Sequence, residues 1–193
     1  MSPGTLGDVV LRLSEPWRRY HTVAHVASML RSHRDGVARG AWQQDDAVEL
    51  AAWYHDAVYE PGARDNEVRS AELLDAAWAS FPDAGMVRRA RRLVLATADH
   101  LLGHPPDLWV FLDLDLEVLA AERDAYDAYV AGVRVEHAHV DDRSWALGRS
   151  GMLRRFLTAG RIYRTSDFFI DRGMEDRARD NLRRELDGLH AQL

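Results

Sequence analysis

The sequence predicts an all-α fold, a single-domain helical bundle. Three observations carry that expectation. The chain has 193 residues, one ordinary domain's worth of polypeptide. Apolar residues recur at helical spacing in segment after segment, with Pro and Gly falling between the segments. No long linker, repeat or low-complexity tract divides the chain, so one domain is expected over residues 1–193, with a core over about 15–160 and a helical extension over about 161–193.

The elements follow in order. Pro16 suits a first helical turn, and Val23, Val26, Ala27 and Leu30 continue at helical spacing until Gly36 and Gly40 end the run. A second helix is predicted from Asp45 to about Tyr59, stopped by Pro61-Gly62. Asp65 can cap a third, with a face of Val68, Ala71, Leu74 and Trp78 that ends near Phe81-Pro82. A fourth runs from Asp83 to about Leu102, before Pro105-Pro106, and further helical patterns span about 122–140, 142–159 and 166–191. One segment resists. From Val110 to Val118 the even positions are apolar and most odd ones acidic, a strand signal by periodicity alone. Helix is expected there nonetheless, because a lone strand among helices has nothing to satisfy its backbone groups. Arg161-Ile162-Tyr163-Arg164-Thr165 is the other strand-like stretch, and a pairing of the two is the competing arrangement.

Composition narrows the chemistry. With 47% hydrophobic and 29% charged residues, the chain is neither a disordered acidic tail nor a membrane protein, and no stretch approaches the roughly 18 unbroken apolar residues of a spanning helix. The start lacks a basic region followed by an apolar run, so the cytoplasm is the expected location. The chain contains 0 cysteines, which removes disulfides, thiolate nucleophiles and Cys-liganded metals. All 25 basic residues are Arg, which removes a phosphate-loop lysine and a Schiff base. Gly148-Arg149-Ser150-Gly151 is one residue too short for a nucleophile elbow, and no dinucleotide-type glycine motif occurs. A net charge of -6 argues against a stable nucleic-acid partner, although Arg88, Arg89, Arg91 and Arg92 cluster locally. His, Asp, Glu and Arg remain.

The most informative stretch is Ala51-Ala52-Trp53-Tyr54-His55-Asp56-Ala57-Val58-Tyr59, where a His-Asp pair sits among apolar residues. A buried carboxylate costs several kcal/mol unless paired or metal-bound, and a divalent cation held by His55 and Asp56 is the economical answer. Read alone, the dipeptide is more ordinarily a pair bonded to neighbouring Arg and backbone. Upstream, His21 and His25 stand at i and i+4, one face of a predicted helix, where they suit either one metal, one ligand plus one substrate contact, or a solvated face. Downstream lie Thr97-Ala98-Asp99-His100 and the acidic pair Asp113 and Asp115, each unremarkable alone.

The order His25, then His55-Asp56, then Asp113 or Asp115 resembles the H…HD…D signature of the HD-domain superfamily of metal-dependent phosphohydrolases. Glu15-Pro16, Arg18, Tyr20-His21 and His25, then Tyr54-His55-Asp56 with Tyr59, then Asp65-Asn66-Glu67 with Ser70-Ala71, is similar to a short bacterial subgroup of predicted phosphohydrolases. Phe111-Leu112-Asp113-Leu114-Asp115-Leu116 and Ile162-Tyr163 continue the match, which runs from about residue 15 to the C-terminal helix. The motifs are specific for the superfamily and uninformative about the substrate.

The resemblance implies an HD-type bundle whose central helices converge on one divalent ion. Its ligands would be His25, His55, Asp56 and Asp115, with Asp113 in reserve, since in related sequences with Asp-x-Asp near this place the second carboxylate usually lies at the metal. Such a mixed nitrogen and oxygen set suits Mn²⁺, Fe²⁺, Co²⁺, Ni²⁺ or Zn²⁺, and Mg²⁺ stays open. It implies a hydrolase of phosphate mono- or diesters, with a phosphorylated small molecule or nucleotide as partner and no membrane; a homo-oligomer is compatible with it. Asp56 would hold or accept the proton of the attacking water. Arg18, His21, His100 and Arg64 are the candidate cations for the phosphate, with His100 also placed in the catalytic set. Glu67 orients water or holds Arg64 or His55. Two other classes compete. A di-iron oxygenase of the same fold would draw extra ligands from His100 and His104, a match weakened by Pro105-Pro106. A non-catalytic nucleotide-sensing module would not need the intact ligand set. Metal content separates the three: one ion, two irons, or none.

Overall fold

The structure, a computed structural model, describes residues 4–101, 103–165, 169–170 and 172–190. It is helical throughout, with no strand among the described residues. The helices are α1 (Leu6–Leu13), α2 (Val23–Ala38), α3 (Asp46–Tyr54), α4 (Asn66–Trp78), α5 (Ala84–Ala96), α6 (Trp109–Asp115), α7 (Arg123–Glu136), α8 (Asp142–Thr158) and α9 (Met174–His190). Short 3₁₀ turns follow α5 at Thr97–Asp99, precede α6 at Pro106–Leu108 and follow it at Leu116–Ala120. No helix among the described residues is long and apolar enough to cross a membrane.

Caps set most of the boundaries. Side chains of Thr5, Thr22, Asp45, Asp83 and Asp141 each accept a first-turn backbone N–H, at the starts of α1, α2, α3, α5 and α8. Asp65 sits at the start of α4 without a capping bond; the neighbouring Asn66 instead bonds both backbone groups of Glu60. At the far end of α2, Gly36 lies against the indole of Trp42, and a Cβ there would collide with the ring. Gly40 then turns the chain with φ of 73°.

Several boundaries differ from the sequence reading, the first two for a reason of hydrogen bonding. The helix expected from Pro16 begins only at Val23, because the backbone N–H groups of Arg19, Tyr20 and His21 are taken by the Glu136 carboxylate rather than by a preceding turn. The helix expected to reach Tyr59 stops at Tyr54. Beyond it, Arg18 takes the carbonyls of Asp56 and Ala57, and Ser70 brackets both backbone groups of Val58. Helix α1 lies ahead of Pro16, where no helix is expected from the sequence, and buries Val9 and Leu13. Of the helix expected over 166–191, residues 174–190 are helical, while 166–168, 171 and 191 lie outside the described residues. The helix expected from Asp83 to about Leu102 ends at Ala96 and passes into the Thr97–Asp99 turn, and Leu102 lies outside the described residues.

The segment with strand-like alternation is α6 and its 3₁₀ continuation. Phe111, Leu112, Asp113 and Leu114 are all buried, so α6 is enclosed on every side and its composition need not follow a helical stripe. Arg164 and Thr165 present their backbone N–H groups to the Asp113 carboxylate, not to a partner strand. Ile162 and Tyr163 are fully buried in the same core. Helix α3 packs against α1, α2, α4 and α5; α6 contacts α2 and α5; α9 packs on α8 and on the 116–120 turn. One continuous apolar core runs through all of them, from Val9 and Leu13 to Leu182 and Leu189. The first turn of α2, the end of α3 and the end of α6 meet at one point in this arrangement.

Candidate metal centre

His25 comes from the first turn of α2, His55 caps the C-terminal end of α3 with Asp56 next to it, and Asp115 ends α6. Their polar atoms converge. His25 Nε2 is 3.3 Å from His55 Nε2 and 3.0 Å from Asp115 Oδ1. His55 Nε2 is 3.0 Å from Asp56 Oδ2 and 3.5 Å from Asp115 Oδ1. His25, His55 and Asp56 each offer a ligand atom within 4.8 Å of the others.

These spacings fit a cation. Bonds of about 2.1 Å place neighbouring ligand atoms ~3.0 Å apart around an octahedral ion and ~3.4 Å apart around a tetrahedral one, the range seen here. The tautomer of His55 fits as well. Its Nδ1 lies 3.0 Å from the Ala52 carbonyl, so that nitrogen carries a hydrogen and Nε2 is the nitrogen that faces the cluster. Two imidazole nitrogens aimed at each other have no good hydrogen bond to share unless one carries a proton or both meet an ion.

The electrostatics point the same way. Burial pushes the Asp56 carboxyl up, but the charges of His55 and His21 outweigh it and hold the group below the ordinary range. Burial acts likewise on Asp115, where His55, His100 and His25 win and hold it well below. Burial pulls the His55 imidazole down, yet Asp56 and Asp115 hold it well above its ordinary value. The pocket is thus an anionic hole that calls for positive charge, which protons on the imidazoles supply in part and a divalent cation would supply fully. The cluster is largely enclosed: the side chains of His25 and His55 are 6% and 1% exposed, those of Asp56, Asp115 and His100 14–18%.

Asp115, not Asp113, is the member of the acidic pair that reaches the imidazoles. Asp113 is fully buried on the opposite side of α6, where its Oδ2 accepts the N–H groups of Arg164 and Thr165 at 2.8 and 2.6 Å. His100 follows the 3₁₀ turn after α5, and its Nε2 lies 2.8 Å from the second oxygen of Asp115. It therefore orients a candidate ligand. Arg18 is buried and committed: its guanidinium bonds Glu15 Oε2 and the carbonyls of His21, Asp56 and Ala57. It fastens the His55-Asp56 turn to the loop before α2. His21 is in that loop rather than on a helix, its ring 4.1 Å from that of Tyr59. Arg64 is exposed and Glu67 lies in the first turn of α4; no hydrogen bond or ion pair ties either to the cluster among the described residues. His104 is turned to the Asp99 carbonyl.

Two further side chains complete the surroundings of the cluster: Tyr20, quoted in the sequence only as part of the motif, and Glu136, which carries no signal there. Tyr20 lies with its ring 4.8 Å from that of His25 and 4.6 Å from that of Tyr129, walling one side of the cluster. Glu136, at the end of α7, holds the 19–21 backbone and His21 from 115 residues away in the chain. Only the folded chain brings it there.

A groove of about 520 Å³ opens beside His25 and Asp115. Met29, Leu114, Val118 and Met174 give it apolar surface, and Arg19, Arg31, Arg172 and Arg177 stand around it.

No family model, curated protein or solved structure matches the chain. The geometry of the site is therefore the ground on which its function is read.

Proposed function

We propose that the chain is an HD-type, divalent-metal-dependent phosphohydrolase that cleaves a phosphate ester of a small molecule or nucleotide. The observation that carries this reading is the convergence of His25, His55 and Asp56 within 4.8 Å of one another, with Asp115 3.0 Å from His25 and 3.5 Å from His55, and His55 Nε2 directed inward by the Ala52 carbonyl. Two neutral nitrogen donors and two carboxylates suit Mn²⁺, Fe²⁺, Co²⁺, Ni²⁺ or Zn²⁺ better than a hard, all-oxygen ion. When bound, the ion supplies Lewis acidity toward a phosphoryl oxygen and lowers the pKa of a bound water.

The chain's own residues do the rest. Asp56, the more exposed partner of the His55-Asp56 pair, accepts the proton of the attacking water. His100 keeps the Asp115 carboxylate aimed at the ion. Arg18 keeps Asp56 in register through the backbone. The body of the ester lies in the groove, where the apolar surface takes a ring or chain and the arginines take further anionic groups. The di-iron reading has less support, since His100 is engaged by Asp115 and His104 by a backbone carbonyl.

Phosphate release is to be measured over nucleotides, sugar phosphates and phosphodiesters with Mn²⁺, Co²⁺, Ni²⁺ and Mg²⁺. Turnover that disappears in Asp56→Ala supports the reading. Tight binding of two irons with no phosphate release would instead favour the oxygenase.

A further inference from the structure

Glu136 makes more contacts with the loop before α2 than a simple clamp needs. Its side chain is fully buried, and Oε1 accepts the backbone N–H groups of Arg19, Tyr20 and His21 at 2.6, 2.7 and 3.1 Å. Those bonds already compensate a buried carboxylate. The second oxygen, Oε2, meets His21 Nδ1 at 2.6 Å. That contact fixes which ring nitrogen carries a hydrogen toward Glu136 and leaves Nε2 as the nitrogen able to exchange a proton with a ligand. Packing holds the ring as well, against Tyr59 at 4.1 Å and edge-on to Tyr20 at 5.0 Å. The His21 side chain is 18% exposed, as is that of Asp56, and Arg18 Nη1 bonds the backbone carbonyls of both residues, which sets the two side by side. The charge of His21 also acts on the Asp56 carboxyl and holds it down.

We propose that Glu136 is a positioning residue that holds His21 so that His21 Nε2 donates the proton taken up by the leaving oxygen of the phosphate ester. The inference rests on the phosphohydrolase reading and assigns that reaction its acid. The oxygen of water bonds to phosphorus as the ester P–O bond breaks, with the bond's electron pair going to the leaving oxygen. That oxygen takes the proton from His21 Nε2, the attacking water gives a proton to Asp56, and solvent later restores both groups. The products are the alcohol and phosphate. Glu136 stays ionised and keeps the Nδ1–H in place.

The test compares p-nitrophenyl phosphate, whose leaving group departs without a proton, with glycerol 3-phosphate, whose leaving group needs one. In the metal-loaded chain, H21N and E136Q are expected to lose about 100-fold or more in kcat on the glycerol ester and under about tenfold on the nitrophenyl ester, with one ion per chain retained. In the metal-free chain, nitrogen NMR is expected to show the His21 proton on Nδ1, with that signal displaced in E136Q. Equal losses on both esters, or an unprotonated Nδ1, overturn the proposal and leave Glu136 as a loop clamp. Should E136Q not fold, H21N leaves the clamp on Arg19 and Tyr20 in place and carries the comparison alone. Phosphate release from neither ester by the wild-type chain overturns the phosphohydrolase reading and the assignment of His21 with it.

Discussion

Asp113 and Asp115 show how a two-residue difference becomes a difference in role. On a helix, positions i and i+2 point about 200° apart, so α6 sends Asp115 to the imidazoles and Asp113 to the backbone of Arg164 and Thr165. Asp115→Asn is therefore expected to abolish metal binding, whereas Asp113→Asn keeps one ion per chain; calorimetric titration of both variants checks the order. Protons must leave as the ion enters, because His55 is held well above its ordinary value in the metal-free cluster. Metal titrations in buffers of different ionisation enthalpy should show proton release at neutral pH, and no buffer dependence would contradict the electrostatic account. His33 is a separate case. It is buried with neither ring nitrogen hydrogen-bonded and lies parallel to Trp42, with burial pulling its imidazole below the ordinary value. As pH falls through the histidine range, the unfolded chain takes up a proton that the folded chain resists, so folding stability falls with it. His33→Phe should remove that slope and raise stability by about 1 kcal/mol, read by denaturant unfolding at pH 5.5 and 7.5.

At the scale of the element, the irregular segments are held by carboxylates from other parts of the chain. The 161–165 stretch docks through backbone N–H groups, those of Ile162 and Tyr163 on Glu175 and those of Arg164 and Thr165 on Asp113, whose carboxyl burial pushes up to about 6 against the opposing effect of the Thr165 and Arg164 N–H bonds. Between its ordinary value and about 6 the folded chain binds more protons than the unfolded one. This group's contribution therefore favours folding at low pH and is lost as pH rises through 6. Asp113→Asn keeps an acceptor for the two N–H groups and should flatten the pH dependence of unfolding between pH 4 and 6, by up to ~2 kcal/mol. The helices themselves were legible: periodicity, Pro and Gly placed most of them, and α6 was helix despite its alternation. Their ends were less so. Helix α2 starts after His21 and α3 stops before His55 because Glu136, Arg18 and Ser70 supply backbone partners from distant positions. Local sequence carries no trace of those partners. The same limit explains the site. The H…HD…D order named side chains that converge, but Arg18, expected at a phosphate, is spent on carbonyls, and Glu136 was invisible until α7 brought it to the loop.

On the scale of the whole molecule, three elements of one continuous core meet at the cluster, so an ion bound there would be coupled to the fold. A cation that binds only the folded chain stabilises it by RT ln(1 + [M]/Kd), about 4 kcal/mol at a thousandfold excess over Kd. Chelation should lower the unfolding midpoint of the wild-type chain and leave that of His55→Ala unchanged. Helicity should survive in both, because the apolar core from Val9 to Leu189 does not depend on the cluster. The most direct test of the account is the number of divalent ions per chain after dialysis against Mn²⁺, Ni²⁺ or Zn²⁺ and removal of the excess, measured by elemental analysis on the wild type and His55→Ala side by side. The account predicts one ion in the wild type and none in the variant; no bound ion in the wild type, or the same content in both, would contradict it.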